Sequence, residues 1–94
     1  MKLVFSEEAI TDIEAIVRFI AHRDEDAAER LGVRVLRAID ALAAGEYEGP
    51  EQKMERGEIV RSWPVPPVRV YYRRRQDAFF VVRVYHQARI PITR

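Results

Sequence analysis

The sequence has no cysteine. Disulfides, thiolate metal ligands and thiol nucleophiles are excluded, and the chain suits a reducing compartment. Histidine is nearly as scarce. Only His22 and His86 occur, one in a helix-end link and one at the end of a strand-forming run. Two separated histidines without cysteine do not make a metal site, so neither metal nor cofactor is expected. Glycine occupies four positions, and neither a P-loop nor a dinucleotide fingerprint is present. Ser62 has no Gly-rich elbow and Ser6 reads as a helix cap, which leaves no nucleophilic triad. No apolar run approaches the ~18 residues of a membrane span. The opening "MKLVFSEEAI" turns acidic too soon for a signal peptide. A cytoplasmic location with no membrane partner is the expectation.

What is present is a globular composition, 48% hydrophobic and 33% charged, in 94 residues. One domain over residues 1–94 is expected. The net charge of +1 conceals a division. Residues 1–58 carry 8 Lys+Arg against 14 Asp+Glu, and residues 59–94 carry 8 Arg against the single Asp77. The halves are net −6 and net +7, so one acidic and one basic side are expected. The stretch "RSWPVPPVRVYYRRR", Arg61–Arg75, holds three prolines and no acid.

Hydrophobic spacing organises the chain. "KLVF" (Lys2–Phe5) reads as a short strand. Ser6 is placed to cap a helix, with Glu7 and Glu8 in its first turn. Ala9, Ile10, Ile13, Ile16, Val17 and Ile20 recur at helical intervals, with Glu8, Asp12, Glu14 and Arg18 toward water. Asp24 caps a second helix whose stripe is Ala28, Leu31, Val35, Leu36, Ile39, Leu42 and Ala43, ending at Gly45. Glu46–Glu58 is polar, contains Gly-Pro and reads as a loop. Ile59–Trp63, Val68–Arg74 and Ala78–Tyr85 read as three strands. Pro64–Pro67 stiffens the connection between the first two. The connections are too short for crossover helices, so these strands are antiparallel neighbours. The expected fold is α+β, β-α-α-β-β-β, with a helical hairpin on one face of a mostly antiparallel four-stranded sheet. Its other face points to water or to a partner.

Register assigns the arginines to a face. A three-residue loop at Arg75–Asp77 pairs Tyr72 with Phe80, Val70 with Val82 and Val68 with Val84, an apolar set. The alternate set pairs Arg73 with Phe79, Tyr71 with Val81 and Arg69 with Arg83. A two-residue loop would mix charge with core residues on each face, so the odd loop is expected. Like charges directly opposite are destabilising, so Arg69 and Arg83 are either both solvated or jointly hold an anion. Tyr71, Arg73, Tyr85, His86 and Arg89 surround them.

This basic and aromatic face is the one chemical constellation. RNA cleavage would need a base (His86, Glu55 or Glu58), an acid (Tyr71, Tyr72 or Tyr85) and cations (Arg69, Arg83 and Arg89). The alternative is that Tyr72 is core and the rest only binds something acidic.

"FSEEAITDIEAIVRFIA", "SWPVPPVRVYYRR" and "VVRVYHQARIPI", in this order, resemble the RelE/ParE superfamily of type II toxin–antitoxin toxins, most of all its ParE-like branch. The resemblance covers nearly the whole chain. It implies the same β-α-α-β-β-β fold and a bacterial toxin neutralised by a ParD-like antitoxin. It also implies DNA gyrase as target, without catalysis by the toxin. The RelE-like branch instead cuts mRNA on the ribosome, and its functional positions correspond here to Arg69, Tyr85, His86 and Arg89. Where that branch carries lysines or a glutamate base, this chain has Lys53 among Glu51, Glu55 and Glu58. The expected binding face is Arg69, Tyr71, Arg73, Arg83, Tyr85, His86 and Arg89. A non-toxic peptide-binding module is the remaining alternative. The antitoxin is expected to be acidic and to fold on binding, with one helix on the helical hairpin and an extended part on the arginine face or a strand edge.

Overall fold

The computed structural model describes residues 2–87. Arg89 lies outside the described residues. The elements run β1 (Lys2–Phe5), α1 (Glu7–Ala21), α2 (Glu25–Ala43), β2 (Glu51–Lys53), β3 (Ile59–Val65), β4 (Val68–Arg75) and β5 (Ala78–His86). The expected α+β class and helical hairpin are present. The sheet, however, has five strands rather than four, in the order β1-β5-β4-β3-β2. β1 pairs with β5 in parallel and the other neighbours are antiparallel. The added strand is β2, inside the segment expected to be a loop. Its three residues are polar, and only the ladder to Ile59–Arg61 makes it a strand. Polar side chains on a short edge strand leave no alternation to read.

Both helix caps form as expected. Ser6 Oγ accepts from Ala9 N at 2.9 Å, and Asp24 Oδ1 accepts from Ala27 N at 3.0 Å. Ser6 also donates to Val82 O at 2.7 Å, which fixes the start of α1 to β5. Gly45, at φ +82, follows the end of α2, where a left-handed residue suits glycine.

The helices bury Ala9, Leu31, Val35 and Ile39 against Val68, Val70, Tyr72, Phe79, Val81 and Val84. Val65 belongs to this core, and Pro64 and Val65 extend β3, so the connection is shorter than the expected Pro64–Pro67. The Pro66-Pro67 bond at the turn is cis.

The β4–β5 register corrects the expected one. The loop has two residues, Gln76 and Asp77, so Arg75 faces Ala78, Arg73 faces Phe80 and Tyr72 faces Val81. The ladder then shifts between Tyr71 and Tyr72, with Val82 as the extra residue, and Tyr71 faces Arg83, Val70 faces Val84 and Arg69 faces Tyr85. A β-bulge changes the phase of a period-two pattern. Phe79, Val81 and Val84 therefore all reach the helical side, although no uninterrupted ladder could put them there. The two-residue loop conflicts with burial only when the bulge is left out.

Candidate functional site

The side of the sheet away from the helices has its own small apolar cluster. Met54, Val60 and Tyr71 are buried there, with Val82 and Tyr85 packed against them. This face does not simply meet water, because the β2–β3 hairpin brings its own apolar residues onto it. Arg69, Tyr71, Arg73, Arg83 and Tyr85 share the face by register. Arg69 and Arg83 are not direct partners: Arg69 lies opposite Tyr85 and Arg83 opposite Tyr71. The like-charge pair does not form, so the choice between two solvated arginines and a jointly held anion no longer arises from it.

The chemistry of each arginine follows from its neighbours. Arg83 is held by Asp12 of α1, with Nε–Oδ2 at 2.8 Å and Nη2–Oδ1 at 3.0 Å. Glu8 adds a carboxylate oxygen at 4.0 Å, and the guanidinium sits 4.7 Å from the Tyr85 ring centroid. The hydrogen bonds Arg83 donates to Asp12 raise its pKa further above the ordinary value. Asp12 Oδ2 also accepts from Val84 N at 3.0 Å, so one carboxylate serves both the bulge and its arginine. Arg73 lies 3.9 Å from Glu58 Oε2 and 5.9 Å from the Phe80 ring centroid. Arg69 differs. Its Nη1 donates to the buried Ser62 Oγ at 2.7 Å, and among the described residues no carboxylate lies within ion-pair reach of it.

Two of the candidate acids are enclosed. Tyr72 is completely buried in the main core, and its hydroxyl accepts from Gly49 N at 2.8 Å. Tyr71 is 1% exposed. Burial raises its pKa, partly offset by Arg69 and reinforced by Tyr85. Tyr85, edge-on to Tyr71 at 5.5 Å, is half-buried, as is His86 beside it. Glu55 and Glu58 are exposed. A cleft of about 500 Å³ between α1 and the end of β5 brings Asp12, Ile16 and Phe19 together with Arg83, Tyr85 and His86. Among the described residues no group of three or more His, Asp or Glu is placed to hold a metal ion.

The partners that sequence reading missed are the carboxylates. Asp12 was assigned to the wet side of α1 because nothing in a helical pattern points to a strand 71 residues away. Arg74, on the helical side, donates to Leu42 O and to Glu48 Oε1. A readable signal existed for this one, since α2 has no basic residue in its last turn and its final carbonyls need donors.

A second apolar feature lies on the helical side of the sheet. Phe5, Ile13, Val17, Leu31, Leu36 and Val84 line a groove of about 170 Å³ between the hairpin and the sheet. Near it, Phe19 is 61% and Leu36 56% exposed.

The family model of the ParE toxin of the type II toxin–antitoxin system parDE matches residues 3–91. A solved structure described as the chromosomal ParDE TA system from P. aeruginosa aligns with a TM-score of 0.73 at 16% identity, covering 92% of this chain and 95% of that one. That likeness is one of fold. No curated protein sequence matches.

Proposed function

This chain belongs to the ParE family of type II toxin–antitoxin toxins, and from that premise we propose that it poisons DNA gyrase in the bacterial cytoplasm and is silenced by a ParD-like antitoxin. The observation that carries the gyrase reading over RNA cleavage is the state of the basic face. Tyr71 and Tyr72 are enclosed, and Arg83 is held by two carboxylates. A phosphate clamp needs cations free to move onto the scissile group, and three of the groups nominated for that chemistry are committed elsewhere. Arg69 beside Tyr85, with His86 following, favours the ribonuclease reading, and the test is designed to separate the two.

For the antitoxin, the exposed Phe19 and Leu36 beside an apolar groove fit the nonpolar stripe of an amphipathic helix. An acidic extended segment would then find Arg69 on the sheet. Salt should weaken that polar contact more than the apolar one.

Expression in a bacterial host should arrest growth, and co-expression of the antitoxin encoded beside the toxin should relieve it. Broken chromosomal DNA with intact mRNA supports the gyrase reading. Cleaved mRNA with intact chromosomes overturns it in favour of the ribonuclease. Unimpeded growth leaves a non-toxic peptide-binding module.

A further inference from the structure

The arginines of the sheet are largely neutralised, whereas those of α2 are not. Arg61, Arg73, Arg74 and Arg83 each have a carboxylate within 4.0 Å. Arg30, Arg34 and Arg37 are exposed, and among the described residues none has a carboxylate partner. At about 100° per residue the three fall within about 60° of one another on the helix. Glu25, Glu29 and Asp40 lie on the other flank of the exposed arc, with Val33 and Leu36, so that charge on α2 is sorted by side. Asp26, one turn before Arg30, is the acid that borders the row. Arg34 donates through Nη2 to the Pro66 carbonyl at the β3–β4 turn, which holds its guanidinium against the turn and leaves the remaining donors outward.

The composition of the row decides what it fits. A helical peptide partner needs an apolar seam, and the large exposed apolar residues of α2 are on the other flank. The row offers guanidinium groups without carboxylate partners among the described residues, suited to a polyanion that brings no apolar stripe. At 1.5 Å per residue it spans about 10 Å, roughly three steps of a duplex at 3.4 Å each. We infer that Arg30, Arg34 and Arg37 bind the phosphate backbone of duplex DNA without reading its sequence. This does not depend on gyrase being the target.

The test is fluorescence anisotropy of a labelled 20-base-pair duplex of mixed sequence with the full-length toxin, from 50 to 200 mM salt. Three phosphate contacts predict a slope of log affinity against log salt near −2.7, about a fortyfold loss over that range. The triple variant Arg30→Gln/Arg34→Gln/Arg37→Gln should lose that slope, while Arg18→Gln/Arg75→Gln should retain it. Should the triple variant fail to fold, Arg30→Gln and Arg37→Gln singly should each lower the slope by about 0.9. Three outcomes overturn the inference: no duplex binding at 50 mM salt, an unchanged slope in the variants, or a polyglutamate peptide bound through the row more tightly than the duplex.

Discussion

Asp12 is where α1 and β5 are joined, because its carboxylate serves the Arg83 guanidinium and the Val84 amide together. Replacing it by asparagine removes the charge but keeps much of the shape. The pair is partly exposed, so the expected loss is about 1–2 kcal/mol rather than the larger cost of a fully buried pair, measurable by urea denaturation. Gly49 is constrained by space instead. A Cβ there would lie 1.8 Å from Ser62 O and 2.7 Å from Ser62 C, both backbone atoms that cannot swing aside. Gly49→Ala should therefore cost about 3 kcal/mol and, by moving residue 49, disturb the bond to the Tyr72 hydroxyl. Tyr71 gives a pH signature. Its folded pKa is raised by burial, so the folded state retains a proton that the unfolded state releases above its value of 10.0. The stabilisation is complete below pH 10 and is lost as pH rises through the folded pKa. Stability should fall above pH 10, and Tyr71→Phe should remove that tyrosine's share of the fall.

Ser6 and Asp24 cap the two helices with different consequences. Ser6 also donates to Val82 beside the bulge, whereas Asp24 is an exposed cap. Ser6→Ala should cost about 2 kcal/mol and Asp24→Ala about 1; equal losses would mean the bond to β5 adds nothing. Both caps, Gly45 and most of both helical stripes were legible in the sequence, because these signals are local and chemically distinctive; Ile10 and Leu36, expected in the stripes, are exposed instead, because each lies at the margin of its apolar arc. β2 was not, since three polar edge residues carry no pattern of their own. The β4–β5 register failed for another reason. Val82 looks like any other strand residue, and its role as the extra one is set by packing Phe79, Val81 and Val84 together against the helices. The face holding Arg69, Tyr71 and Arg73 was legible, but the partner of each arginine was not. The side chain that neutralises Arg83 comes from 71 residues earlier in the chain.

At the scale of the molecule, the acidic and basic halves of the sequence interlock instead of forming two opposed sides. Glu8, Asp12, Glu48, Glu51 and Glu58 all come from the first 58 residues, and their partners Arg61, Arg73, Arg74 and Arg83 all come from the remainder. Much of the sheet's positive charge is therefore used in holding the fold, and the uncovered apolar surface of the hairpin is the surface proposed above for the antitoxin. Phe19→Asp and Leu36→Asp should each weaken antitoxin binding at least tenfold, about 1.4 kcal/mol, with the melting temperature of the free toxin little changed because both side chains already meet solvent. Calorimetric titration checks the first statement and thermal unfolding the second.

The proposed target of this toxin is gyrase rather than RNA. The most direct test incubates the purified protein with gyrase and supercoiled plasmid, in parallel with translating ribosomes. The expected result is cleaved plasmid that requires both toxin and gyrase and is prevented by antitoxin, with the mRNA intact. Cut mRNA beside unaffected gyrase would contradict it.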